Sequence, residues 1–250
     1  MKHICISHAP LRYTPSVPYE FYSPVPIPGV QTTVISDDVW GDRWNGRVLS
    51  EYLQLFVLAE QWAGWDGMIH LIQYRRILTP ISPPSHTHQE FGSLCLPPHA
   101  APPLVPSAER LEATNLPTFG AIMQCRVAEQ FAAYHHLVDL QNLAKAMVIS
   151  GAFTPKEASQ FYNAKLLIGS PSLGIYPSAM LTEHLSILRQ VWNCFYDRFF
   201  VPRQDYNRRV GGFLMERLHS YLLLRHFDQN PDAKANIWYR VLLERAVRMQ

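Results

Sequence analysis

The sequence has no closely spaced cysteines: Cys5, Cys95, Cys125 and Cys194 lie far apart and no C-x-x-C occurs. No disulfide framework or zinc cluster can be read from them, and the spacing suits reduced thiols in a cytosolic setting. Long hydrophobic runs are also missing. Nothing approaches the roughly 18 to 20 apolar residues of a membrane span, and the opening "MKHICISHAPLRYTP" breaks its short apolar stretch at His8 and Pro10, unlike a secretory leader. Charge of one sign is lacking: 22 Lys and Arg stand against 20 Asp and Glu, so no broad nucleic-acid footprint is expected. What is present is 48% hydrophobic and 17% charged, which excludes wholesale disorder. A chain of 250 residues can bury a substantial core, as one large domain or as a core with a helical appendage.

The front of the chain reads as an α/β layer. "HICIS" (His3 to Ser7) and "VQTTVIS" (Val30 to Ser36) predict strands, joined by a proline-punctuated loop to Pro28 and followed by the turn signal "DDVWGD". Leu49 to Trp62 has helical spacing, and "GMIHLIQY" predicts a third strand. Residues 79–118 hold nine prolines and no sustained period, and predict a long loop or insertion. Phe119 to Arg126 predicts another strand. The rest predicts helices over Ala128 to Ile149, Pro155 to Leu167, Ala179 to Phe199, Gly212 to Leu224 and Pro231 to Met249. Thr154-Pro155-Lys156-Glu157 is a capping box with proline at the first helical position, and Asn230-Pro231 repeats the cap-then-proline order.

Open α/β sheets bind ligands at the carboxyl ends of their strands. His8, Asp37, Asp38, Arg75 and Arg76 all fall there, a mixture suited to an anionic, hydroxyl-rich ligand such as a nucleotide sugar.

Several segments, in order, resemble a bacterial glycosyltransferase family linked to capsular and exopolysaccharide synthesis, catalogued as domain-of-unknown-function 4422. "SHAP" resembles its first-strand ending T-H-K-P, and "SDDVWGD" its D-D-x-G-D loop, which includes Asp42. "DGMIHLIQYRRIL" is similar to its Y-V-G-L-x-H-Y-R-R-Y-F strand and "EQFAAYHHLVDL" to its E-Q-Y-x-x-x-H-x-x-x-D-L helix. "RRVGGFLMERLHSYL" resembles R-x-x-G-F-L-x-E-R-L. The resemblance, which runs from Ser7 to Tyr221, implies a glycosyltransferase-A-like nucleotide-sugar-binding sheet; with the helices predicted above, the expected organisation is that α/β domain over residues 1–226, largely helical in its second half, and a C-terminal helix packed on it over 227–250. The resemblance also implies hexosyl transfer from a nucleotide-sugar donor to a polysaccharide or glycolipid acceptor. The departures are Gln73 for the family's histidine before Y-R-R, Phe131 for its tyrosine, Ser172 for an asparagine, and the unmatched stretch 79–118. They keep open a different class, a non-catalytic sugar-nucleotide-binding or interaction protein.

The candidate residues each carry two readings. No D-x-D occurs, so no cofactor is expected, a divalent metal stays open, and Arg75 and Arg76 are expected to neutralise the diphosphate. Their alternative is structural pairing with Asp38, Asp139 or Glu216. Arg209 and Glu216 flank a predicted helix start at Gly212 that could receive a phosphate oxygen, or Gly211-Gly212 lets that helix pack tightly on the sheet while Glu216 and Arg217 are buried structural partners. His135 and Asp139 are expected to share a helical face as an acid/base pair with Glu216 nearby, or to be a satisfied hydrogen bond. His86-x-His88 and His135-His136 suggest a transition-metal site as a minor alternative, but the first pair lies in a predicted irregular loop without a third ligand and spacing alone supplies no coordination geometry, so no metal ligand is assigned. The last helix, with Trp238, Leu242, Arg240, Arg245 and Arg248, either docks on its own domain or rests on an anionic membrane carrying a lipid-linked acceptor. The expected location is cytoplasmic, with the inner face of the membrane as the place of any contact.

Overall fold

The computed structural model describes residues 1–80, 88–90, 93–96, 105–114, 118–120, 124–167, 173–231 and 237–243. Four strands lie parallel in the order β3 (Thr33–Val34), β2 (Glu20–Ser23), β1 (Lys2–Ile6) and β4 (Met68–Ile72). β1 is the turning point, because the chain runs from it to β2 on one side and later returns to β4 on the other. That geometry opens a crevice beyond the carboxyl ends of β1 and β4. β2 lies inside the stretch expected to be a loop. Its four residues, "EFYS", are too few for a pattern, yet three are buried against the layer.

The sheet continues from β4 through antiparallel β11 (Gly174–Pro177) and β8 (Thr118–Gly120). Next comes β12 (Ile237–Leu243), parallel to β8 and to β7 (Ser93–Leu96), with β6 (His88–Glu90) on the edge. β5 (Arg76–Thr79) pairs antiparallel with β12. The expected C-terminal helix over 231–249 is therefore replaced, where described, by an interior strand. Trp238 and Val241 to Leu243 are buried, a run that a fully flanked strand demands and that helical spacing also fits. The expected insertion over 79–118 likewise supplies β6, β7 and the short helix α3 (Ala108–Glu112).

The expected helix from Leu49 divides into α1 (Gly46–Leu49) and α2 (Glu51–Trp62) at Ser50, whose φ of 54° is costly for a residue with a Cβ. The expected helix over 128–149 divides into α4 (Val127–Tyr134) and α5 (Leu137–Ile149), with His135 extended between them at φ −141°. α6 (Pro155–Asn163) starts with both hydrogen bonds of its capping box in place. It ends early, and Lys165–Leu167 forms β10 against β9 (Gln124–Arg126). α7 (Ser178–Phe199) and α8 (Val210–Gln229) complete the helical layer, with Trp192 of α7 fully buried. Among the described residues no helix is long and apolar enough to cross a membrane.

Candidate functional site

Two hollows of about 490 and 550 Å³ meet beyond the carboxyl ends of β1 and β4. Ser50, Glu51, Arg75, Arg76 and Arg209 line both and form the wall between them. Ser7, His8, Asp37 and Gln73 belong to the first; Arg12, Gln130, His135, Gly212, Glu216 and Arg217 belong to the second.

The arginine pair stands where β4 ends and the chain bends into β5. Two backbone bonds pin that bend: Arg12 N–H donates to Tyr74 O at 2.7 Å and Leu243 N–H to Arg75 O at 2.8 Å. Arg76 Nη1 donates to Gln73 Oε1 at 3.1 Å, so the buried Gln73 holds the arginine. Arg75 lies 5.4 Å from the Tyr74 ring centroid. The buried Nε atoms of Arg75 and Arg76 have no hydrogen-bond partner among the described residues. Burial pulls the Arg76 pKa below its ordinary value, Glu216 opposes that, and Arg75 adds to it. Of the alternative structural partners, Asp38 accepts from Ser36 and Asp139 is engaged elsewhere.

Arg209 donates from Nε to Ser50 Oγ at 2.7 Å and lies 3.9 Å from Glu51. The strained Ser50 thus orients a wall arginine. α8 begins at Val210, and its first N–H already donates to Asn207 O of the preceding 3-10 turn. A Cβ on Gly212 would sit 2.9 Å from Leu49 O, which favours the tight-packing reading of that glycine. His8, at the mouth, is held below its usual pKa by partial burial and then by Arg209, with Glu51 opposing. Burial raises the Asp37 carboxyl, with Arg47 opposing and Asp38 reinforcing. Asp38 and Asp42 are exposed and line neither hollow.

The expected His135–Asp139 pair does not form, because the break between α4 and α5 removes the shared helical face. Asp139 is buried and accepts two bonds from Arg203, Nε to Oδ2 at 3.1 Å and Nη2 to Oδ1 at 2.8 Å. His135 instead stacks on Phe213, with ring centroids 4.2 Å apart. Its Nδ1 lies 3.1 Å from Asn207 Oδ1, an arrangement that suits the tautomer protonated at Nδ1 with its lone pair on Nε2. Burial is the main cause of its lowered pKa; the Asn207 hydrogen bond opposes the shift and Arg217 adds to it. Glu216 accepts from Arg217 Nη1 at 2.7 Å. Arg217 is itself buried and also donates to Phe213 O and Gln130 Oε1.

Arg12 and Gln130 have no role in the sequence reading, Ser50 enters it only at a helix start and Arg240 only as part of the last helix; Arg217 enters it as a buried structural partner beside Glu216, and it is buried and donates to Glu216. Gln130 and Arg217 lie within quoted motifs; Arg12 and Ser50 carry no pattern and reach the site through chain bends. Among the described residues no cluster of three or more His, Cys, Asp or Glu is placed to hold a metal. His86 lies outside those residues.

No protein-family model and no curated protein sequence matches the chain. The structure is similar to the solved apo structure of WbbM, a bifunctional glycosyltransferase, with a TM-score of 0.67 at 12% sequence identity. The likeness covers 97% of this chain and 45% of that one, so the chain spans less than half the length of its structural neighbour. The fold is a glycosyltransferase-like α/β fold.

Proposed function

We propose that the chain is a glycosyltransferase of the glycosyltransferase-A type that moves a hexosyl group from a nucleotide sugar to a glycan or lipid-linked acceptor, as in the capsular and exopolysaccharide family it resembles. The observation that carries the reading is the arginine wall between two hollows at the switch point of the sheet. The nucleoside enters the first hollow, where Asp37 faces its hydroxyls. The diphosphate lies on Arg75, Arg76 and Arg209, which supply the charge stabilisation that the leaving group requires. The acceptor occupies the second hollow, with the exposed rings of Tyr134 and Tyr206 at its side. His135 Nε2 takes the acceptor hydroxyl proton as the new C–O bond forms, and the anomeric C–O bond breaks with its electron pair on the diphosphate. Glu216 is held by Arg217 and offsets the positive charge around the base.

The test combines the protein with a panel of nucleotide sugars and glycan acceptors in chelator, and follows acceptor-dependent release of nucleoside diphosphate. His135→Gln is expected to retain donor affinity and lose about 10²-fold or more in turnover. In the wild type the rate should rise with pH through the depressed His135 pKa and then level off, because only the neutral imidazole accepts the proton. Saturable donor binding without transfer or donor hydrolysis would support the non-catalytic alternative.

A further inference from the structure

Ser50 and Asp205 are the non-glycine residues with positive φ among the described residues, at 54° and 51°, and both stand at the site: Ser50 lines both hollows and Asp205 the first. A residue with a Cβ keeps such a backbone only where the surrounding structure fixes it, so what each one positions shows what the strain serves. Ser50 positions Arg209. Asp205 opens the 3-10 turn Asp205–Arg209, whose last residue is that same arginine and whose middle residue, Asn207, lies 3.1 Å from His135 Nδ1. Between Asp205 and Asn207 is Tyr206, at 61% the most exposed large hydrophobic side chain among the described residues.

A lone exposed tyrosine needs no explanation. Tyr206, however, is held from within. Its ring centroid lies 5.0 Å from that of Phe213 at an interplanar angle of 36°, and 5.9 Å from that of His135 at 16°, while His135 and Phe213 stack at 23°. The three planes are therefore close to parallel, and they form a row with a buried end at Phe213 and a bare end at Tyr206, on the lining of the second hollow. The row runs beside the wall, because the Arg209 guanidinium lies 5.5 Å from the Phe213 ring centroid. A flat ring fixed in this way suits one kind of surface. A hexopyranose chair carries its hydroxyls around the rim and C–H bonds on its faces. In a β anomer of gluco or galacto configuration the axial C–H bonds of C1, C3 and C5 share one face, whereas in the α anomer the axial O1 stands on that face. Weakly positive C–H groups against the negative face of a ring are matched in shape and in charge.

We propose that Tyr206 is the platform for the acceptor sugar, and that the sugar is a β-configured hexopyranose lying with its C1, C3 and C5 face on the ring. A rim hydroxyl of a sugar held there is turned toward His135, the next ring of the row, and toward the wall that Arg209 shares with the first hollow. The left-handed backbone of Asp205 serves to deliver Tyr206 to this place. The proposal rests on the glycosyltransferase reading only in calling the sugar an acceptor.

The test first titrates the protein with UDP, GDP, dTDP and ADP. It then saturates the protein with the tightest of these and titrates methyl β-D-glucopyranoside, methyl β-D-galactopyranoside and their α anomers. The tighter β anomer is expected to bind about threefold or more tightly than its α counterpart, because the axial oxygen lifts the sugar from the ring. Tyr206→Ala should lose about tenfold in affinity for that β anomer, whereas Tyr206→Phe, which keeps the ring face, should stay within about threefold of the wild type. Nucleoside diphosphate affinity should change less than about threefold in both variants, which shows that the wall is intact. The anomer comparison, made on the unaltered protein, keeps the test decisive if the alanine variant disturbs the turn. Equal binding of the two anomers, no binding of any of the four sugars, or unchanged affinity in Tyr206→Ala overturns the proposal. A loss in Tyr206→Phe as large as in Tyr206→Ala overturns it as well, since the contact would then belong to the hydroxyl. Failure of every nucleoside diphosphate to bind defeats the donor reading instead, and the sugar comparison is then read on the unsaturated protein.

Discussion

Basic side chains are buried against one another in two kinds of place, and the two solve the same electrostatic problem differently. His3 and His70 meet across β1 and β4 with their Nδ1 atoms 3.1 Å apart, and His184 and His219 meet edge to face between α7 and α8 with centroids at 5.4 Å. Arg76 and Arg240 meet beneath the second hollow. A histidine sheds its proton when buried: His70 is pushed down to about 3 and His184 to about 4, mainly by burial. Arginine cannot do this within the range of stable folding, so its charge has to be met by a carboxylate or a ligand. The buried histidines are therefore held neutral in the core, whereas Arg76 keeps its charge at the wall of the two hollows. Arg203 and Asp139 show the third outcome, a half-buried arginine fully matched by a carboxylate.

The largest expected effect tests the histidine side of this contrast. A histidine whose folded pKa lies below its unfolded value is protonated more readily in the unfolded state. Stability is then lost as pH falls below about 6.5, and the loss continues until the folded pKa is reached. Between pH 6.5 and pH 4, His70 alone should remove on the order of 3 kcal/mol. Urea unfolding at several pH values should show this decline, and His70→Gln should flatten it by about one proton. An unchanged slope in the variant would mean that His70 is charged in the folded protein.

The matched pair comes next. Asp139→Asn leaves Arg203 without its carboxylate and should cost about 3 kcal/mol of stability, with donor affinity unchanged because Asp139 lines neither hollow. A variant of normal stability with lost turnover would return Asp139 to the mechanism.

The arginine side predicts the reverse signature. Arg76→Ala should weaken donor binding by about tenfold to a hundredfold, equivalent to about 1.5 to 3 kcal/mol, while the melting temperature holds or rises because a buried charge is gone. Arg76→Lys should recover part of the affinity, since it keeps the charge and loses the fork. Calorimetric titration in chelator and then in magnesium checks both points. Strict metal dependence, or unchanged affinity in Arg76→Ala, would make the arginine structural.

The strand ends carrying these arginines were legible because β1 and β4 are apolar, β-rich runs whose period survives in isolation. The rule for open sheets put His8, Asp37, Arg75 and Arg76 at one crevice, though also Asp38, which lines neither hollow; Arg209 came from the predicted start of a helix instead. The His135–Asp139 error arose because Tyr134, His135 and His136 contain no glycine or proline. The helix breaks there while His135 stacks on Phe213, a partner 78 positions away. Arg240 was misplaced for a related reason: "IWYRVLL" fits a helical face locally, and only its pairing with β5, β7 and β8 makes it a strand. Long-range pairing is what a local period cannot show.

The smallest expected effect concerns a charge that is met largely by the backbone. Glu157 is held below the usual carboxylate range by the Thr154 backbone N–H first, then by the Thr154 hydroxyl, with Arg225 contributing and partial burial opposing. Its Oε2 accepts from Thr154 N at 2.8 Å, and Arg225 Nη2 lies 3.0 Å from Oε1. Because the folded pKa is depressed, the stabilisation is present above the unfolded value near 4.3 and is lost as pH falls through the folded one. The site is partly solvated, so water screens the Arg225 pair and the cap supplies most of the effect. Glu157→Gln can still accept from the Thr154 N–H and should cost a few tenths of a kcal/mol; Thr154→Ala loses the side-chain cap and should cost about 1 kcal/mol. Thermal unfolding at pH 7 and pH 4 should therefore separate the two, with the Gln variant losing less than the wild type on acidification. If Glu157→Gln costs more than Thr154→Ala at pH 7, the Arg225 ion pair carries the stabilisation, and charge pairing rather than backbone capping governs this surface.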